Sequence, residues 1–450
     1  MLSTPPTAPT DAPSIPRHRR YYLGKMAAAI SRFSRYYDEV VQVAPCEHDH
    51  DNILHLIDCP NKRHVDDIAS IPDVSDHPER RLIVLLKGNT NHSTRIQQDL
   101  TEIRARLNRF CRVVLINYNP YYAPVVKAAT VAGLRKGPIP NTFLTRGDLG
   151  NLAELSGYQS VSVEPNVQIP WRLLGLGSVG NALLSILPGL RWLSLWAMIA
   201  LRPRMAEKKP PSISVVIPAR NERGNIENAL HRLPEFPGAV EVIFVEGHSS
   251  DGTWDEIQRV AADWKDRVDV TALRQQGTGK ADAVRLGFSK AKGDLLTILD
   301  ADLTMPPEDL PLYYDAYVAG KADFVNGSRL LYKMDDDAMR FLNKLGNVFF
   351  AKELSWILGT RFTDTLCGTK LLPSDTYRRF VSWRDDFGDF DPFGDFELLF
   401  PAAVLKIGSI DIPVCYRDRQ YGETQISRFR HGSMLLKMTT IAFFRIRLGG

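Results

Sequence analysis

Residues 213–219 read ISVVIPA, residues 240–246 read VEVIFVE and residues 294–302 read DLLTILDAD. Each is a short apolar run, rich in β-branched residues in the first two, that turns polar at its carboxyl end, as a strand buried on both faces should. Between them NIENALHRL (225–233), TWDEIQRVAADW (253–264) and KADAVRLGFSKA (280–291) have the length and spacing of helices, and VDVTALR (268–274) adds another strand. This alternation predicts a nucleotide-binding α/β sheet. Ligands of such sheets lie beyond the carboxyl ends of the strands, and the polar motifs sit there: Pro218-Ala219-Arg220-Asn221-Glu222, then Glu246-Gly247-His248-Ser249-Ser250-Asp251, then Asp300-Ala301-Asp302. Two carboxylates one residue apart at the exit of a buried strand suit a divalent ion that also holds a diphosphate. A strand terminus has no structural need of them.

Working outward, the stretch RPRMAEKKPPS (202–212) separates this region from an earlier half, and the domain boundary is placed there. In that half NILHLI (52–57), RLIVLLK (81–87) and RVVLINY (112–118) read as buried strands, and RIQQDLTEIRARLNRF (95–110) as an amphipathic helix with apolar residues at 96, 100, 103 and 107. Five prolines among the first sixteen residues exclude a signal peptide or helix there, so residues 1–35 are expected to be a flexible tail.

With 44% hydrophobic residues in 450, the chain can bury two or three cores, which excludes a mostly disordered protein. A net charge of +4 is too small to argue for nucleic acid. Five irregularly spaced cysteines exclude a disulfide framework and point to a reducing, cytoplasmic setting. Cys46, His48, His50, His55 and Cys59 are zinc-ligand types, but at spacings of no common zinc motif, and His55 and Cys59 fall in or beside an expected strand. The uncharged run 173–190 holds four glycines and a proline, which favours a buried helix-turn over a membrane span.

In the order VIPARNE, SSDGT, GKADA, LDAD, NGSR, TDTLCGTK, FGDFELLF and RDRQYGETQ, residues 211–430 resemble family 2 glycosyltransferases of the GT-A fold, particularly the dolichyl or polyprenyl phosphate sugar (mannose or glucose) synthases. The resemblance implies that Pro218, Ala219, Asn221, Glu222 and Glu246 contact the nucleoside of a nucleotide diphosphate sugar. It places Lys280 and Asp282 near its diphosphate and sugar, and gives Asp300, Ala301 and Asp302 the donor phosphates, the two aspartates with Mg2+ or Mn2+. Arg329, Asp364, Lys370, Arg417 and Arg419 fall on the acceptor side, with Arg329 also in reach of the diphosphate, and Asp302, Asp395 and Arg329 are the catalytic candidates. Asp395 and Glu397 share a side if their element is extended. Asp395 would be the general base if the acceptor is a hydroxyl, whereas an ionised phosphate needs none. Ser249 and Asp251 are expected to cap the following helix rather than touch substrate, and Asn221 and Glu222 also suit the N-terminal region of the helix after them. Gly247, Thr304 and Glu423-Thr424 depart from the family pattern.

Residues 36–203 resemble, more faintly, the C-terminal part of class I S-adenosylmethionine-dependent methyltransferases, without the glycine-rich turn those enzymes need for cofactor before residue 80. The expected fold class is therefore α/β: a degenerate Rossmann-like domain at 36–205 followed by a GT-A nucleotide-sugar-binding domain at 206–430. The segment 431–450 mixes arginine and lysine with phenylalanine, methionine and isoleucine and is too short to span, which suits a basic amphipathic helix lying on a membrane's cytoplasmic face. Three functions remain open on these residues: sugar transfer to polyprenyl phosphate, sugar transfer to a glycan or small-molecule hydroxyl, and a vestigial enzyme serving as a scaffold. Oligomeric state is not legible.

Overall fold

The computed structural model describes residues 17–44, 53–133, 138–167, 169–170, 175–187, 189–332, 341–387, 394–417, 419, 421 and 428–447. It divides into two compact units, Met1–Pro203 and Arg204–Gly450.

In the first unit the order is α1 (Arg17–Ser34), β1 (Glu39–Val43), β2 (Asn61–Val65), β3 (Leu82–Lys87), α2 (Asn89–His92), α3 (Ile96–Ala105), β4 (Arg112–Tyr118), α4 (Ala123–Val131), α5 (Arg146–Leu155), β5 (Tyr158–Asn166), α6 (Leu176–Ile186) and β6 (Trp196–Pro203). The strands form one sheet in the order β2-β1-β3-β4-β6-β5, parallel through β4, with β6 antiparallel to both its neighbours. One face is sealed by Leu100 and Ile103 of α3 and Leu149 and Ala153 of α5 packed on Val41, Val84 and Val113. Burying such side chains stabilises by about 1.5–3 kcal/mol each.

Several expectations are corrected here. Residues 17–34 are not tail but helix, because Leu23, Met26, Ala27, Ile30 and Phe33 recur at helical spacing and are buried. Residues 1–16 lie outside the described residues. The expected strand at 52–57 is a single 3-10 turn, Leu54–Leu56. Strands β1 and β2 escaped the pattern reading because Gln42 interrupts one and the other is an exposed edge, NKRHV. Of the zinc-ligand types, Cys46, His48 and His50 lie outside the described residues. His55 is exposed, and Cys59 is a core thiol whose pKa burial raises, with its Sγ donating to the Tyr37 carbonyl. The run 173–190 contains α6, but not buried: Leu176, Val179 and Leu183 are 72%, 56% and 60% exposed.

The second unit runs β7 (Ile213–Ala219), α7 (Ile226–His231), β8 (Val240–Glu246), α8 (Thr253–Trp264), β9 (Asp269–Arg274), α9 (Lys280–Lys290), β10 (Leu295–Ile298), α10 (Leu310–Val318), β11 (Phe324–Ser328), α11 (Phe341–Leu358), β12 (Lys370–Pro373), α12 (Ser374–Phe387), α13 (Phe396–Val404), β13 (Ser409–Pro413) and α14 (Arg428–Ala442), which continues into a π-helical turn, Phe443–Arg447. Its sheet order is β13-β11-β12-β10-β7-β8-β9, with only β12 antiparallel to its neighbours. From β7 the chain steps outward through β8 and β9, then crosses back to β10, so the order reverses between β7 and β10. Doubly wound sheets have their ligand crevice at the carboxyl ends of the strands beside such a reversal. Because β12 runs the other way, the loop before it, ending at Lys370, arrives at the same edge of the sheet.

Candidate functional site

Three strand ends build the site. After β7, Asn221 takes a left-handed backbone (φ 55°), tolerable for asparagine, and its side-chain oxygen accepts from the Ser250 N–H at 2.9 Å. The Asn221 N–H in turn donates to Ser249 Oγ at 3.0 Å, so Ser249 ties two loops together and does not cap α8 as expected. Asp251 does serve that helix, accepting from the Thr253 N–H, and also takes the Arg223 N–H. Glu246, at the end of β8, is buried and accepts the Ser249 N–H at 2.5 Å.

After β10, each aspartate of the DAD triplet meets a cation. Asp300 pairs with Lys280, the first residue of α9. Asp302 accepts from Arg419 Nη2 at 2.6 Å through one oxygen and from the Thr304 N–H and hydroxyl, at 3.1 and 2.8 Å, through the other. Arg419 Nη1 also reaches Glu222 at 3.2 Å, so one guanidinium joins the ends of β7 and β10. Burial disfavours charge on Lys280 and Asp300 alike, yet each holds the other ionised: the lysine lies above its usual range and the aspartate below. Glu222 goes the other way, pushed up to about 6 by burial despite Asn225 and Arg419.

On the far side of the crevice Arg329 is clasped by Asp364 through two side-chain bonds of 2.7 and 2.9 Å and rests over the Tyr416 ring at 5.4 Å. Asp364 is wholly buried, so its carboxylate serves Arg329 and the Leu366 N–H rather than an open cleft. Lys370 is likewise fully buried and donates to Asp395 at 2.6 Å and to the Cys367 carbonyl. Asp395 and Glu397 do not act as a pair. Asp395 is the N-cap of α13, and the helical turn sends Glu397 to Arg285 and Arg384 instead. Asp282 accepts its own loop's Gly277 N–H at 3.1 Å. Arg417 is exposed, its N–H on the Thr304 carbonyl; Asp418, Glu423 and Thr424 lie outside the described residues.

Sequence reasoning missed Gly368 as a site residue. A Cβ there would fall 2.3 Å from both Asp300 Oδ2 and Lys280 Nζ, so any larger residue would push that ion pair aside as the TDTLCGTK loop lies against it. Its signal was there, a lone glycine in a motif otherwise made of side chains. Thr304, noted as a departure, turns out to orient Asp302.

No group of three or more potential metal ligands occurs among the described residues. Asp300 and Asp302 nonetheless fit a magnesium-like ion, which binds through one or two carboxylates and completes its shell with phosphate and water. Each now carries a side-chain cation where such an ion would supply the charge.

Residues 214–379 match glycosyl transferase family 2. The chain is 34% identical over 119 residues to a dolichol-phosphate mannosyltransferase of Pyrococcus furiosus, covering 26% of this chain and 33% of that one. It is 28% identical over 238 residues to a dolichyl-phosphate hexose transferase of Haloferax volcanii, covering 52% of this chain and 94% of that one. It thus spans a third of the first relative's length and nearly all of the second's. Among solved structures, glucosyl-3-phosphoglycerate synthase of Mycobacterium tuberculosis aligns at 15% identity and a TM-score of 0.37, over 52% of this chain and 80% of that one.

Proposed function

We propose that the second unit is an inverting, metal-assisted glycosyltransferase that moves a sugar from a nucleotide diphosphate to a polyprenyl phosphate at a membrane surface. The observation that carries this is the placement of Asp300 and Asp302 at the sheet's reversal point, each balanced by a side-chain cation. In this reading Pro218, Ala219, Asn221, Glu222 and Glu246 hold the nucleoside, and Lys280 faces the diphosphate. A bound Mg2+ or Mn2+ would neutralise charge on the departing diphosphate. Asp300 and Asp302 would hold that ion in place of their present cation partners, and Arg419, with Arg417 and Arg329, would then be available to orient the acceptor phosphate. An ionised phosphate oxygen then attacks the anomeric carbon opposite the leaving group. The relatives' named acceptors, dolichyl phosphates, support a lipid acceptor.

The state of Asp395 favours phosphate over hydroxyl. Its carboxylate is the counter-ion of a fully buried ammonium, and protonating it would strand that charge. A phosphate acceptor asks no such thing of it. Lys370 and Asp364 accordingly support the acceptor side from behind, one through Asp395 and the other through Arg329.

The first unit is read as methyltransferase-like and without cofactor. An antiparallel strand inserted beside the last parallel one, β6 between β4 and β5, supports that reading. Peripheral attachment on the cytoplasmic face of a membrane is part of the proposal, supported by relatives named for dolichyl phosphates; no helix among the described residues is long and apolar enough to cross a membrane. Thermal unfolding of the full chain with nucleoside diphosphates and their sugars, with and without Mn2+, tests the donor half. Stabilisation by one nucleotide that requires the metal is expected, and indifference to all of them would remove the proposal's basis.

A further inference from the structure

Helix α6 is amphipathic the wrong way round for a helix in water. Two of its polar side chains point inward: Ser178 and Asn181 reach the Tyr21 hydroxyl of α1 at 3.3 and 3.1 Å, and Asn181 closes two bonds of 2.8 Å on the backbone of Ile169. Gly180 lies so close to Ile169 that a Cβ would fall 2.7 Å from its side chain. The face turned outward carries Leu176, Val179, Leu183 and, just past the helix, Leu187, the last 49% exposed. Leu190 and Leu193 continue it at 41% and 47% exposed, and the Tyr122 hydroxyl, donating to the Leu193 carbonyl, joins this run to the start of α4, where Val125 is 59% exposed. Single exposed leucines are ordinary. A continuous stripe with the polar groups folded beneath it is not.

The sequence around the stripe says what covers it. The uncharged residues 173–190 are bracketed by Trp171-Arg172 on one side and Arg191-Trp192 on the other, the residue types that settle at a headgroup layer. From 165 to 203 there is no aspartate or glutamate, while Arg172 and Arg191 occur and Arg202 is buried; from 119 to 147, which spans α4, there is again no acid, while Lys127, Arg135, Lys136 and Arg146 occur. An apolar stripe whose neighbours in sequence bring arginine and lysine and no acid complements an anionic bilayer surface, which offers hydrocarbon and negative headgroups together. With eleven residues, α6 is about 16 Å long. That is half the roughly 30 Å of a hydrocarbon core, so it lies in the surface and does not cross.

We infer that the first unit docks on anionic lipid through the outward face of α6. This surface is separate from anything the sugar-transfer reading requires, and it gives a domain without evident chemistry a task of its own.

The test places an environment-sensitive fluorophore at position 183 of the full chain by Leu183→Cys, after Cys46→Ser and Cys415→Ser, since Cys59, Cys111 and Cys367 are buried. A second protein carries the fluorophore at Leu155, an equally exposed position on α5. Vesicles of phosphatidylcholine with phosphatidylglycerol should shift emission from 183 to the blue and quench it with brominated acyl chains, and should leave 155 unchanged. Leu176→Gln with Val179→Gln and Leu183→Gln should lower partitioning of the full chain onto the same vesicles about tenfold or more. Water-like emission from 183 on vesicles that bind the protein would mean that attachment is elsewhere, and overturns the inference. So does emission already blue without lipid, which would mean that protein covers the face, and so does failure to bind vesicles at all.

Discussion

Asp302 commits one oxygen to Arg419 and the other to Thr304, so Asp302→Ala removes one partner of Arg419 and the proposed metal ligand in one step. Sugar transfer should fall by about two to three orders of magnitude with thermal unfolding little changed; transfer that persists in chelator would contradict a metal-assisted reaction. The pair Lys370–Asp395 separates support from chemistry. Asp395→Asn alone leaves a buried ammonium without its counter-ion, at a cost of about 3–5 kcal/mol. Lys370→Met combined with Asp395→Leu removes both charges and should restore folding and keep measurable transfer to a phosphate acceptor. Loss of all transfer by a folded double variant would return Asp395 to the role of base. Glu222 gives a pH dependence. Its folded pKa of about 6 lies above that of an unfolded carboxyl, so its contribution to stability is present at acid pH and is lost as pH rises through about 6. Glu222→Gln, which cannot ionise, should flatten the pH dependence of the unfolding temperature between about pH 4.5 and 7. An unchanged slope would mean that the glutamate is not responsible.

At the level of elements, the C-terminal helix is a part of the second unit as well as a surface. Leu435, Met438 and Ala442 of α14 are buried, and Phe443 stacks on Trp356 of α11 with ring centroids 5.8 Å apart. Leu345 and Phe349 of α11, with Leu436 and Phe444 beyond them, stay exposed. Leu436→Ser with Phe444→Ser should therefore weaken vesicle binding and transfer to lipid acceptor while sparing thermal stability, whereas Phe443→Ser should cost stability. Equal loss of stability in both would make the helix packing alone. Elements also show where sequence pattern suffices. Strands β7, β8 and β10 were legible because each is buried on both faces and ends in polar residues, so apolar period and chemistry change at one point. β1 and β2 were not, since a buried glutamine and an exposed edge both blur the apolar run. The reversed strand β12 was not legible either, because strand direction depends on non-local pairing, as with Leu296 opposite Leu372. That direction is what brings Gly368 to Asp300. Likewise the spacing of Asp395 and Glu397 fixed no shared side until the helix start between them was known.

For the whole molecule, Asn221, Glu222, Lys280, Asp300 and Asp302, named from sequence for the donor side, lie just past β7 and β10 and at the start of α9 because strand ends are local features of a doubly wound sheet, whereas Asp282 turns to its own loop. The acceptor side was less legible. Which of Arg329, Asp364, Lys370 and Arg419 face the crevice, and which stand behind it, is decided by ion pairs between residues as much as 197 positions apart, as for Arg419 and Glu222. The central claim is that these parts transfer a sugar to a lipid phosphate. Its most direct measurement incubates the full chain with nucleotide diphosphate sugars, Mn2+ and a polyprenyl phosphate in mild detergent or vesicles, and identifies the product by mass and by the configuration at its anomeric carbon. The account predicts a lipid-phosphate monosaccharide with inverted configuration, formed with a metal ion and lost in chelator. Transfer confined to hydroxyl acceptors, or a product with retained configuration, would contradict it.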